Sequence, residues 1–472
     1  MPRQTNSHSQ AKARSRSNSR APGGSRSHRK PYLQAEGSPA AKYAARAAYK
    51  AKKRNEMQTD RGEPKIDLRT LARSQLEKNG FEPGFSLVIE AKANALDEST
   101  VERALPSVKD LRHLLWSSIG NSDDIGADQV EYCERGQGGS IAVKVAIADV
   151  DAFVPKGSLL DMKAEENALS VYTKAGTFPM LPERLSGDLS SLPMERDRLA
   201  VVAEFSVLPR GNLRLGKIFR AVVRNRAQLS YGEAGEILAG TAEQEMIDEI
   251  PGLEEQLKLQ DEATAKMDKF RMQGAPGKIE GDGISKGDVS LGLCIARNDA
   301  AERIIENFTI GANDAMHAFL DAANSPSIRR VIKTPKSWEG IVAVAKANGF
   351  ALPPAPDAAK LSEFLGKEKA AHPEKFSDLS LAIAKLLGSG GYEVFSKAIR
   401  PECFCFATES FARRVSPNGR YVDLVNQRLV KAALAHAPAH YSMDELVGLA
   451  KWCTDRGHAA IQVERAVRYA VA

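Results

Sequence analysis

Three aspartates, Asp123, Asp124 and Asp128, lie in the run Ser117–Gln129, which Gly120 and Gly126 interrupt. Carboxylates are the protein donors that a hard divalent cation accepts, and glycines would let such a loop bend around one. Neighbouring acids in a polar loop are equally at home as solvated side chains, so residue types alone leave Asp123 and Asp124 open between the two. Cys403 and Cys405 form a C-x-C pair, but no further Cys or His at ligand spacing completes a zinc set. His436 and His440 stand four apart with Pro438 between them, which breaks the helix that would align them. Tyr172 and Tyr231 are aromatic faces that either pack in a core or stack on a flat ligand.

The elements that must position these residues follow from pattern and punctuation. Asp67 is placed to cap a helix running to Lys78, closed by Gly80, and a second short helix fits Ser99 to Leu105. Ile141 to Asp149 and Ala200 to Leu208 are short runs rich in β-branched residues and read as strands, and Gly211 marks a hairpin into Leu213 to Val223. Helical periodicity takes over afterwards: Glu254 to Arg271, Asp299 to Ala322, Leu379 to Leu387, Tyr421 to Leu434, Met443 to Asp455, and Ala459 onward. Strands followed by helices predict an α+β domain, with a mixed or antiparallel sheet packed under helices.

Several segments together resemble one family. Ser170-Val171-Tyr172, Pro179-Met180-Leu181-Pro182, Leu185-Ser186-Gly187-Asp188-Leu189-Ser190-Ser191-Leu192 and Arg198-Leu199-Ala200 are similar to a continuous series in the ribonuclease II (RNB) catalytic domain. Ile147–Val150 and Arg226–Tyr231 fit the same pattern. Ser117–Gln129 falls where that family carries its acidic metal cluster, Ile305–Asn313 fits the centre of the domain, and Ser416–Leu424 resembles its S-P-x-R-R-Y-x-D-L box. The resemblance spans 106–432. It implies a magnesium-dependent exoribonuclease that threads single-stranded RNA, 3′ end first, into a channel and releases nucleoside monophosphates. The flanks then read as a basic arm (1–56), a small helical lead-in (57–105) and a helical extension (433–472).

Phosphodiester hydrolysis requires a nucleophilic water and relief of charge on the departing oxygen, which two cations held by carboxylates supply. The family positions for these carboxylates fall on Gly120, Gly126, Asp128 and Gln129, so two carboxylates are replaced by glycine, and Asp128 and Gln129 remain as the implied metal ligands. Asp123 and Asp124 are the available compensating acids. In the box, the first arginine position is Gly419, while Arg420 stays as the implied phosphate-binding and catalytic arginine. Loss of even one preorganised electrostatic donor costs ~10²–10³ in rate. The expectation is an RNA-binding protein of this family with impaired or absent catalysis; an active Mg²⁺-dependent exoribonuclease and an RNA-docking scaffold are the alternatives. Tyr172 lies at the family's base-stacking position, and Tyr231 and Glu306 are implied to line the channel.

Charge is distributed unevenly. Residues 1–56 hold 14 Lys/Arg against Glu36 and Glu56, while the whole chain carries a net +6, so the remainder is acidic. Arg14 to Lys30 has too little apolar content to fold alone and is expected to be disordered, and Pro39 to Arg54 could become helical on an anionic partner. Such an arm releases counterions from a phosphate backbone, consistent with RNA or a ribonucleoprotein or RNA-decay assembly as partner. Five scattered cysteines argue against a disulfide framework, and no apolar run reaches about 20 residues. A soluble cytoplasmic protein is expected, or an organelle-matrix protein if the Arg/Ser-rich arm is a transit peptide.

Overall fold

In a computed structural model, residues 67–121, 127–272, 300–372, 375–402, 404–406 and 415–470 are described. The arm at 1–56 therefore lies outside the described residues, as do Asp123, Asp124, Gly126 and Cys403. Helices α1 (Leu68–Lys78), α2 (Leu87–Asn94) and α3 (Ser99–Ala104) come first. The Asp67 carboxylate accepts from Arg69 N and Thr70 N, the capping its position foretold.

The sheet is built from β1 (Lys109–Asp110), β2 (Trp116–Gly120), β3 (Gln129–Arg135) and β4 (Ile141–Ala148). Helix α4 (Leu159–Asn167) and the hairpin β5 (Val171–Thr173)/β6 (Gly176–Phe178) interrupt it before β7 (Asp197–Val207) and β8 (Leu213–Ser230). The 18-residue β8 runs beyond the end expected near Val223. Its first part pairs antiparallel with β7, and from Asn225 it pairs parallel with β2. Since β2 pairs with β3, β3 with β4 and β4 with β7, the ladder returns on itself and the sheet closes. Closure removes free edges that would otherwise recruit other strands.

Helices α5 (Tyr231–Leu238), α6 (Gln244–Asp248), α7 (Leu253–Met272) and α8 (Ala300–Ala322) follow. Gly311 lets α8 approach β7: a Cβ there would lie 2.5 Å from the Phe205 ring. Next come β9 (Ser327–Ile332), α9 (Trp338–Ala347), α10 (Ala358–Ala371) and α11 (Phe376–Leu387), then β10 (Gly391–Phe395) and β11 (Cys405–Phe406), which flank β9 in a small antiparallel sheet. The three helices enclose a second core around Trp338, Ile341, Phe364 and Ile383. The chain ends in α12 (Tyr421–Leu434) and α13 (Met443–Tyr469).

The architecture is the expected α+β arrangement of a mixed sheet with helices packed on it. One expectation is corrected: the two helices separated near Gly457 are a single 27-residue α13. Glycine inside a helix costs about 1 kcal/mol, but the buried stripe Cys453, Arg456, Ala460, Val463 runs straight through it and outweighs that cost. No helix among the described residues is long and apolar enough to cross a membrane.

Candidate functional site

Asp128 sits just before β3, where its carbonyl accepts from Ala148 N at 3.0 Å and so fixes it to the rim of the closed sheet. Two other segments converge on it. A π-helical turn, Arg184–Leu189, ends at Ser190, and the next residues bond back to Ala127: Leu192 N donates to its carbonyl at 2.7 Å and Ser191 Oγ at 3.1 Å. The third segment is the Ser416-Pro417-Asn418-Gly419 turn that leads into α12. Arg420 N donates to Ser416 O at 2.7 Å, Ser170 N to Gly419 O at 2.8 Å, and Tyr421 N to Ala168 O at 2.8 Å, which stitches the turn to the strand carrying Tyr172.

Both oxygens of the Asp128 carboxylate accept hydrogen bonds from this turn. Ser416 Oγ donates to Oδ2, and Asn418 Nδ2 donates to Oδ1 at 2.8 Å. Asn418 is buried; its amide also donates to Ser190 O, and its Oδ1 accepts from Ser190 Oγ at 2.7 Å. Ser416 Oγ in turn accepts from Gly419 N at 3.1 Å. The compact knot depends on glycine at 419, because a Cβ there would lie 2.6 Å from Ser416 Oγ and 3.3 Å from the Tyr172 hydroxyl oxygen.

The residues singled out from the sequence fall in several places. Tyr172 is beside the knot and half exposed, at 51%. Arg420 is largely buried, and its Nε donates to Asp423 Oδ2 at 2.8 Å, an oxygen that Ser416 N also reaches at 2.8 Å. Gly120 ends β2 opposite Ser230. Gln129 is buried under α8: its Nε2 donates to Glu131 Oε1 at 2.8 Å, and Thr309 Oγ1 reaches its Oε1 at 3.4 Å. Tyr231 opens α5, half-buried against the main core, and Glu306 lies on α8, which packs on α5. Ser190, Ser416 and Asn418, which complete the site, were not distinguished in the sequence. Their only signal is a Ser-Pro-Asn-Gly turn with polar donors on either side of the box position that lacks its arginine.

A pair of divalent cations needs several carboxylate oxygens converging on one place. Among the described residues no group of three or more His, Cys, Asp and Glu side chains is arranged to hold a metal ion. Asp128 offers its oxygens to an amide and a hydroxyl, and the Gln129 amide is committed to Glu131 and Thr309. These residues do not fit the paired cations that the acidic-cluster resemblance implies.

Behind the turn, α12 is anchored by a run of buried ionic groups. Arg428 meets Asp161 at 2.7 Å and Asp151 at 2.9 Å, and donates to the Tyr441 hydroxyl at 2.6 Å. Lys431 bridges Asp149 and Asp151, each at 2.7 Å. Burial raises the Asp151 carboxyl, but Lys431 and Arg428 outweigh it and hold the group below the ordinary aspartate value. Burial, with Asp161 next, pushes the Tyr421 phenol far up; its oxygen lies 3.0 Å from Asp161 Oδ1.

Comparison with known proteins matches residues 108–436 to the RNB domain. Ribonuclease R of Escherichia coli (strain K12) is 30% identical over 403 residues, covering 80% of this chain and 48% of that protein. Ribonuclease R of Thermotoga maritima is 26% identical over 426 residues, covering 86% and 58%. The chain thus spans about half the length of the curated relatives it matches. Among solved structures, Mycoplasma genitalium RNase R in complex with ribose methylated single-stranded RNA shares the fold at a TM-score of 0.68 and 21% identity, over 85% of this chain and 64% of that one. Yeast Ssd1, described as a pseudonuclease, matches at a TM-score of 0.63 and 14% identity, over 86% and 50%.

Proposed function

The chain belongs to the RNB family, and from that premise we propose that it binds single-stranded RNA and hydrolyses it very slowly or not at all. One observation carries the reading: the Asp128 carboxylate is engaged on both oxygens by Ser416 and Asn418, in a knot that requires glycine at 419. Each oxygen then has at least one of its two lone pairs engaged, so a cation would have to share Asp128 with Ser416 and Asn418, and among the described residues it would find no group of three or more His, Cys, Asp and Glu side chains to complete its shell. Glycine at 120 and 419 supplies neither a carboxylate nor a guanidinium to stabilise charge on a reacting phosphate.

The means of holding a strand are still in place. Tyr172 presents a half-exposed ring beside the turn, and stacking on an aromatic face holds a base without reading sequence. Support comes too from the fold neighbours, one solved with single-stranded RNA and one described as a pseudonuclease.

The test is incubation of end-labelled single-stranded RNA with Mg²⁺ or Mn²⁺ and either the natural chain or a Gly120→Asp, Gly126→Asp, Gly419→Arg variant. The natural chain is expected to bind and leave the RNA intact, with stepwise shortening confined to the variant. Rapid shortening by the natural chain would overturn the proposal in favour of hydrolysis through Asp128 with Asp123 or Asp124. Absence of binding would favour a scaffold role in a ribonucleoprotein or decay assembly.

A further inference from the structure

Outside the family domain, α1 and α13 pack on each other. At their crossing, Arg456 Nη1 donates to Asn79 O at 3.1 Å, and its guanidinium lies 3.6 Å from the centre of the Phe81 ring. From there α1 runs back to Leu68, burying Leu76 and Ala72, while α13 runs on to Tyr469, burying Ala460, Val463 and Val467. Both stripes have the spacing of helices that bury one face.

Both helices also carry exposed arginines beside these stripes. Arg69 and Arg73 stand one turn apart on α1, and Arg465 and Arg468 one turn apart on α13, followed by Tyr469 at 78% exposure. Several arginines around the closed sheet are paired instead: Arg112 and Arg224 hold Asp197, Arg226 holds Glu195, and Arg198 holds Asp188. Among the described residues none of the four flanking arginines forms an ion pair. The nearby Asp67 carboxylate is turned to Thr70 and the start of α1. Glu77 is the other acid on α1, and Glu464 is half-buried on α13. Arg54, the last basic residue of the arm, is fifteen residues before Arg69 in the chain.

We infer that the α1/α13 pair forms a second RNA-binding surface, outside the RNB domain, on which Arg69, Arg73, Arg465 and Arg468 take backbone phosphates and Tyr469 offers a stacking face. The inference rests on the proposal that the chain binds RNA. Guanidiniums that form no ion pair among the described residues release counterions when they meet phosphate, so the surface adds salt-dependent, sequence-independent affinity. Its position lets it hold a strand irrespective of the state of Asp128.

The test uses the full chain with Arg69→Gln, Arg73→Gln, Arg465→Gln and Arg468→Gln together, with an Arg465→Gln, Arg468→Gln pair as the milder variant. Binding of labelled oligouridine is followed by fluorescence anisotropy over a KCl series, with circular dichroism and melting checking the fold. Each phosphate contact to a single strand contributes about 0.7 to the slope of log K against log salt, so the fourfold variant is expected to lose roughly 2–3 in slope and the pair about half of that. Tyr172→Ala separates the two readings, because it should weaken binding and leave the slope unchanged. An unchanged slope in both arginine variants, with Tyr172→Ala still weakening binding, would overturn the second surface and spare the RNA proposal. Anionic phospholipid vesicles are tested in parallel; vesicle binding lost in the arginine variants with RNA binding untouched would assign the surface to a membrane and likewise overturn the inference.

Discussion

Gly419→Ala isolates the knot around Asp128, because its effect should depend on a hydroxyl three residues away. The new Cβ would stand 2.6 Å from Ser416 Oγ, too close for a carbon that cannot hydrogen-bond to it, so the serine must rotate off the Asp128 carboxylate. A hydrogen bond to a charged group is worth about 1.5–3 kcal/mol. Gly419 is not among the residues with positive φ, so alanine adds no backbone strain, and restricting the unfolded chain returns about 0.4–1 kcal/mol. The net loss in the natural chain should be about 0.5–2.5 kcal/mol. With Ser416→Ala in place the offending oxygen is gone, and the remaining Ser416 Cβ would stand at an ordinary 3.6 Å, so Gly419→Ala should be neutral or slightly stabilising. The 3.3 Å approach to the Tyr172 hydroxyl oxygen is common to both backgrounds and cancels. Urea unfolding of the four proteins, followed by tryptophan fluorescence, should give a coupling of about 1.5–3 kcal/mol. Additivity within about 0.5 kcal/mol would refute the knot as drawn.

The other expectations address binding and the ionic anchor. Tyr172→Ala should weaken single-stranded RNA binding about 5- to 150-fold, the value of one base stacked on an aromatic ring, and gel-shift titration checks it. Removing residues 1–56, with their 14 Lys/Arg, should lower RNA affinity and flatten its salt dependence; identical titrations at low and high KCl would exclude the arm. Lys431 and Arg428 hold the Asp151 carboxyl below its ordinary value, so its contribution is present above the unfolded pKa of about 3.9 and lost as pH falls through the lower folded value. The stability difference between the natural chain and Asp151→Asn should therefore be constant at neutral pH and shrink in acid, as urea melts across pH would register.

Local signals in the sequence located several elements well. The capping aspartate at Asp67 and the span of α12, Tyr421–Leu434, could be read directly because one residue type or one apolar period determined them. Strand β3 could not, because its inward face carries Gln129, Glu131 and Cys133 and meets Gln256 of α7, while Gln260 of the same helix donates to Ser117 of the neighbouring β2. A polar interior of this sort has no alternation to detect. At the site, Asp128, Tyr172 and Arg420 stood out by type and by family position. Ser416 and Asn418 did not, since they meet Asp128 across 288 and 290 residues of chain, and each looks like an ordinary turn former until the fold joins them.

The proposed loss of chemistry at the centre is compatible with an intact fold, because the groups that hold α12 in place are elsewhere. Its first residue, Tyr421, reaches Asp161 and Glu165 on α4, Gln427 donates to Ala148 O at the end of β4, and Arg428 and Lys431 reach Asp149, Asp151 and Asp161. Removing one partner from such a buried set leaves an uncompensated charge, at about 3–5 kcal/mol, which is a large fraction of the net stability of a domain. None of these contacts involves residue 120 or 419. Under the proposal, glycine at those positions takes away side chains that act on a phosphate and leaves untouched the ties that shape the site around Tyr172. An arginine introduced at 419 must first displace Ser416 from Asp128, so any regain of cleavage should come with a measurable loss of stability, and full activity without that loss would contradict the arrangement described.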